Sequence, residues 1–226
     1  MYIEKNNIKG KSMINLDEIR QKENELFEVK NHLAYNSNDQ EVLKYLSEDV
    51  SILIRYNVAR NPDTSKEILL DMIDNNNILR VIKGIFENVN FDLEVLFKLY
   101  SLNDRDINYI ISQDPLTPVY LIKELYEKND SFLHFGLASN PNTPKEILEQ
   151  LYRINYPNSF EFDRKLASNT NTPVYILKDL ALNGDCLTKI EITMNESSTP
   201  EILELLKDFD KEKELDKYYS PFIKKV

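Results

Sequence analysis

One phrase of sequence returns through most of this chain. A chain that repeats itself folds by stacking copies rather than by wrapping a single core. VARNPDTSKEIL (Val58–Leu69), LASNPNTPKEIL (Leu137–Leu148) and LASNTNTPVYIL (Leu166–Leu177) align without gaps. Looser copies fill the intervals: IFENVNFDLEVL from Ile85, IISQDPLTPVYLI from Ile110 and ITMNESSTPEIL from Ile192. A shorter first copy, LAYNSNDQEVL, runs over Leu33–Leu43. One position anchors all of them: Asn36, Asn61, Asn88, Asp114, Asn140, Asn169 and Asn195. Successive anchors stand 25, 27, 26, 26, 29 and 26 residues apart.

Each copy reads as two helices. Seven and three residues before the anchor the side chains are apolar: Ile54 and Val58, Val81 and Ile85, Ile107 and Ile111, Leu133 and Leu137, Phe162 and Leu166. A small residue follows: Ala34, Ala59, Ser112, Ala138 or Ala167. That pattern is a short helix packed closely on one side. Gly84 and Gly136, each four before its anchor, point to a neighbour too close for a side chain. After the anchor, Ile68, Leu69 and Met72 open an apolar stripe at helical spacing. It returns at Val95, Leu121, Ile147, Ile176 and Ile202.

The joints carry stop and start signals. Asn and Asp tolerate the left-handed backbone that ends a helix, and their side chains bond nearby backbone. Pro62, Pro115 and Pro141 follow the anchor and block continuation. Thr64, Thr117, Thr143, Thr172 and Ser198 stand where an N-cap is expected, with Pro118, Pro144 and Pro173 at the first helical position. Glu67, Glu146 and Glu201 complete a capping box.

The pattern V-A-x-N-P-x-T-P-x-x-x-L resembles the leucine-rich repeat variant family over roughly residues 33–206. The resemblance implies a superhelix of short-helix and α-helix pairs and, loosely, a binding role; it supplies no catalytic residue. Two departures matter. Repeats in that family are tighter, so the first helix here is expected to be a longer α-helix, closer to HEAT or armadillo geometry. Some members carry a Cys-rich cluster before the repeats, and no Cys stands there in this chain.

The expectation is an all-α fold, an α-solenoid of about seven two-helix repeats of roughly 26 residues. It forms one domain over residues 1–226, with an N-terminal cap at 1–26, repeats at 27–207 and a cap or tail at 208–226. Leu16–Val29 reads as an amphipathic lid. The aromatic end of the tail, Tyr218, Tyr219, Phe222 and Ile223, is placed to cover the last repeat.

Composition limits the chemistry. With 1 Cys and 2 His the chain cannot build a zinc or iron–sulfur site unaided, and 4 Gly leave little for phosphate-cradling loops. No cofactor, metal site or catalytic grouping is therefore expected, and the chain reads as a non-enzyme. The lone Cys186 fits a reducing compartment, and the N-terminus lacks the apolar core of a signal peptide, so a cytoplasmic location is expected. Richness in Asn, Ile and Lys hints at an AT-rich bacterial or phage genome. A net charge of −10 argues against general binding to nucleic acid or anionic membrane.

The functional hint is charge segregation. From nine to one residues before each anchor, nine basic residues face six acidic ones, while the second helices are net acidic. Aromatics share the basic strip: Tyr35, Tyr56, Tyr109 and Phe135. The candidate binding residues are Arg55, Tyr56, Arg60, Arg80, Lys83, Arg105, Tyr109 and His134. They point to a scaffold that grips a protein or peptide partner, with a solvated face as the bland alternative. The rivals are nucleic-acid binding on a locally basic face, and inhibition of a basic DNA-binding protein or nuclease by acidic mimicry. Tyr100, Tyr126 and Tyr152 recur twelve after the anchor and read as a structural ladder.

Overall fold

A computed structural model describes residues 16–75, 78–154, 156, 159–210 and 212. Among these residues the fold is all-helical, with fourteen helices and no strand. The first helix of each repeat is α1 (Leu16–Asn36), α3 (Ile52–Arg60), α5 (Leu79–Phe86), α7 (Arg105–Gln113), α9 (Ser131–Ser139), α11 (Phe160–Ser168) or α13 (Cys186–Met194). The second is α2 (Gln40–Ser47), α4 (Lys66–Asn75), α6 (Leu93–Ser101), α8 (Val119–Glu127), α10 (Lys145–Ile154), α12 (Val174–Asn183) or α14 (Pro200–Leu205). The chain forms two compact units, Met1–Phe91 and Asp92–Val226. Within each unit, neighbours in sequence pack as neighbours in space: α1 on α3 and α3 on α5, then α7 on α9, α9 on α11 and α11 on α13.

The apolar periodicity explains this packing. Helices of 8 or 9 residues, such as α5 and α3, are too short to be stable alone in water. They persist because each buries its stripe against a neighbour. The pairs seven and three before the anchor are buried from Ile54 and Val58 through Phe162 and Leu166. In the first repeat the same positions, Val29 and Leu33, are 56% and 37% exposed, because no described helix pair precedes them. The second-helix stripes are buried from Ile68 to Leu180.

The two register glycines mark close approaches. A Cβ on Gly84 would lie 3.0 Å from Ala59 Cβ and 3.1 Å from the Tyr56 carbonyl oxygen. One on Gly136 would lie 3.0 Å from Ser112 Cβ and 3.1 Å from the Tyr109 carbonyl oxygen. Consecutive first helices therefore meet almost backbone to backbone at these points.

The anchors do a different job from the one expected. Asn61, Asn140, Asn169 and Asn195 are extended, with φ between −63° and −79°. The left-handed residues are Asn103 (φ 49°) and Asn129 (φ 51°), just past α6 and α8. The anchor amide instead reaches back one repeat. Asn61 Nδ2 donates to the carbonyls of Ala34 (3.0 Å) and Ser37 (2.9 Å), and Asn88 Nδ2 to those of Ala59 (2.7 Å) and Asn61 (2.8 Å). Asn140 donates to Ser112 and Asp114, Asn169 to Ala138 and Asn140, and Asn195 to Ala167 and Asn169. Meanwhile each Oδ1 accepts the N–H two residues on, as at Asp63 and Asn142. Buried carbonyls at helix ends need such partners, so one side chain satisfies the joint before it and shapes its own.

Asp114 is the exception. A carboxylate cannot donate. Its oxygen accepts from the Leu116 N–H at 2.8 Å, and burial pushes its pKa up. The second unit's ladder accordingly begins at Asn140.

The threonines also turn backward. Thr64, Thr117, Thr143, Thr172 and Ser198 donate their hydroxyls to the carbonyl six residues earlier, at 2.6–2.7 Å. Pro118 and Pro173 are the N-caps of α8 and α12, one residue earlier in the helix frame than expected. The hydroxyls thus satisfy the end of the first helix, where the sequence placed them at the start of the second.

The tyrosine ladder is present within the second unit. Tyr100 donates to Glu124 (2.5 Å), Tyr126 to Gln150 (2.8 Å) and Tyr152 to Asp179 (2.5 Å), linking α6, α8, α10 and α12 in turn. The lid and the first repeat's helix prove to be one helix, α1, of 21 residues. The tail residues Tyr218, Tyr219, Phe222 and Ile223 lie outside the described residues.

Candidate functional site

The eight candidate residues divide between the units, five in the first and three in the second. A helix turns 100° per residue, so one step in register carries a side chain off the outer face. Position six before the anchor faces inward. It holds Arg55, Ile82, Asn108 and His134, and all are buried or half-buried. Position five before the anchor holds half-buried Tyr56, Tyr109 and Phe135 and exposed Lys83.

Two candidates are therefore corrected. His134 is 3% exposed. Its Nδ1 lies 2.5 Å from the Tyr156 hydroxyl, its ring packs against Tyr126, and burial lowers its pKa, with Asp130 opposing. It belongs to an aromatic core with Phe135 and Phe162, not to an outer face. Arg55 is half-buried and donates from Nη1 to the Asp49 carbonyl at 2.6 Å, pinning the turn between α2 and α3.

In the first unit, Tyr56, Arg60, Arg80 and Lys83 do come together on α3 and α5. The Arg60 guanidinium lies 5.3 Å from the Tyr56 ring centroid and that of Arg80 lies 5.0 Å from it. A Cβ on Gly84 would come within 3.0 Å of Tyr56 Cδ2, so the glycine makes room for the ring. Arg60 pairs with Glu87 at 2.6 Å. Arg80 and Lys83 are exposed and make no ion pair among the described residues. Beside Arg60 lies a hollow of about 330 Å³ lined by Tyr35, Asn36, Pro62 and Asp63.

In the second unit, Arg105 and Tyr109 lie on α7, but Arg105 is engaged. Its Nε and Nη2 hold the Asp130 carboxylate at 2.7 and 2.8 Å, and its guanidinium lies 4.8 Å from the Phe132 centroid. That pair drives the Asp130 pKa down to about 2 and raises that of Arg105. Tyr109 stacks on Phe132, centroids 4.3 Å apart. Phe132, Phe135 and Glu161 are not among the candidate binding residues, although Phe135 is an aromatic of the strip and shares the register of Tyr56 and Tyr109.

No family model, curated protein or solved structure matches the chain.

Four of the nine basic residues in the strip read from the sequence are ion-paired in place. Lys30 pairs with Asp49 (2.6 Å), Arg60 with Glu87, Arg105 with Asp130 and Arg164 with Asp185 (3.1 Å). Among the described residues, no group of three or more His, Cys, Asp or Glu side chains is placed to hold a metal ion. No described helix is long and apolar enough to cross a membrane. A shallow groove of about 530 Å³ runs between α2 and α4, lined by Tyr45, Ile68 and the Lys44–Asp71 ion pair, and is too open to enclose a small molecule.

Proposed function

We propose that this chain is a non-enzymatic binding scaffold and that the first unit holds an acidic segment of a partner protein against α3 and α5. One observation carries the reading. Two guanidiniums lie over the Tyr56 ring, while Arg80 and Lys83 are exposed with no carboxylate partner among the described residues. Cations gathered on a ring favour carboxylates by complementarity. The same reading takes the helix pairs as turns of an α-solenoid, similar to leucine-rich repeat variant and HEAT or armadillo repeats. The 26-residue rhythm and the neighbour-to-neighbour packing within each unit support it.

The test is a titration of the full chain with a fluorescent peptide of alternating Glu and Tyr residues at low salt. The double variant Arg80→Glu, Lys83→Glu is expected to weaken binding at least about tenfold, with added salt acting in the same direction. Equal affinity of the variant and the parent protein would end the proposal. Because Arg80 also packs on Tyr56, a circular dichroism melt of the variant matching that of the parent separates lost binding from lost folding.

A further inference from the structure

We infer that the pocket formed by α7, α9 and α11 in the second unit receives a cationic side chain of a partner, a guanidinium or an ammonium group. The pocket encloses about 370 Å³ and is lined by Arg105, Tyr109, Ser131, Phe132, Phe135 and Glu161.

Its walls have the chemistry such a group requires. Tyr109 and Phe132 stack, and Phe135 lies beside them, so the lining presents ring surfaces. A ring face carries negative charge density and attracts cations within about 6 Å of its centroid. The protein already uses Phe132 in this way, since the Arg105 guanidinium sits 4.8 Å from that centroid. Arg105 does not make the pocket cationic, because Asp130 holds it through two parallel hydrogen bonds and cancels its charge. The charge left over is Glu161. It is exposed and makes no ion pair among the described residues. Its field adds to burial in raising the Tyr109 pKa.

Register sharpens the contrast between the units. Eight residues before the anchor, the first unit carries Arg80 and the second carries Phe132 and Glu161. Five before it, the first carries Tyr56 and Lys83 and the second Tyr109 and Phe135. The cations Arg80 and Lys83 of α5 are replaced by the rings Phe132 and Phe135 in α9, with Glu161 following in α11. The two patches thus suit side chains of opposite charge. This inference rests on reading the first-helix face as the recognition surface, but it concerns the second unit alone.

The full chain is titrated with n-butylguanidinium while the ring resonances of Tyr109, Phe132 and Phe135 are followed by NMR. n-Butylurea serves as the neutral isostere and butyrate as the anion. Only the guanidinium is expected to shift the three rings. Glu161→Gln should weaken it roughly two- to fivefold, the range of an exposed ion pair, and Glu161→Lys should abolish the shifts. Arg80→Glu, Lys83→Glu should leave them unchanged, which separates failure here from failure of the acidic-segment reading. Equal shifts from n-butylurea, Arg105-dependent shifts from butyrate, or an unaltered response in Glu161→Gln would each overturn the inference.

Discussion

The side-chain amide of Asn88 donates to the backbone carbonyl of Asn61 over 2.8 Å, so one repeat's anchor is fastened to the anchor before it. The same amide holds the Ala59 carbonyl at 2.7 Å, and Asn88 is only 5% exposed. The Ala59 carbonyl depends on that one donor, while the Asn61 carbonyl also accepts the Thr64 N–H at 3.0 Å.

Asn88→Asp should therefore destabilise the protein by about 2–4 kcal/mol, because two buried bonds are lost and a carboxylate faces carbonyl oxygens. Urea unfolding would measure it. The deficit should shrink as pH falls, since a protonated carboxyl regains a donor. A loss below about 0.5 kcal/mol would show that the amide ladder is incidental to stability.

Gly84→Leu should cost about 2 kcal/mol, because the side chain must enter space held by Ala59 and the Tyr56 backbone. Circular dichroism on thermal unfolding would register it. The same substitution displaces the Tyr56 ring, so binding of the acidic peptide should weaken as well. A neutral substitution would mean that α3 and α5 are not in close contact there.

Tyr152 provides an alkaline test. Burial, with the hydrogen bond to Asp179, pushes its pKa up to about 12. An unfolded tyrosine ionises near pH 10, so this group's contribution is complete below pH 10 and is lost as pH rises toward 12. Tyr152→Phe should remove that part of the alkaline loss and lower stability at neutral pH by about 1 kcal/mol. Tyrosinate absorbance and urea unfolding across the range would check both.

Asp130 gives the acid counterpart. The Arg105 guanidinium holds its pKa at about 2, below the ordinary value of 3.8. The pair's contribution is present above pH 3.8 and is lost as pH falls through 2. Arg105→Gln should move the Asp130 titration, followed by carboxyl NMR shifts, up toward 3.8. An unmoved titration would show that the pair is not formed in solution.

The helical pairs, their apolar stripes and the glycine contacts were legible because period and side-chain size are local properties of the sequence. Tyr100, Tyr126 and Tyr152 were readable for the same reason: an amphipathic residue recurring on one face has a neighbour in each adjacent repeat. The work of Asn61 and Thr64 was misread because their partners are set by the path of the chain. Local preference places Asn in left-handed turns and Thr at N-caps, whereas the joint uses both to satisfy carbonyls behind them. His134 and Arg55 were assigned outward because charge was summed along the whole first helix. One residue of register separates buried Ile82 from exposed Lys83 and buried His134 from half-buried Phe135, while Arg55 and Tyr56 are both half-buried. Glu161 counts in the sequence only as one of six acids of the strip, because its meaning depends on Arg105 already being neutralised by Asp130, which no spacing rule reveals.

The backward reach of the asparagine amides gives the architecture a polarity. Deleting α13 and α14 would take the Asn195 amide from the Ala167 carbonyl, whereas deleting α1 would take the Ala34 carbonyl from the Asn61 amide. The two edges thus differ in kind: trimming one bares an acceptor, and trimming the other bares a donor.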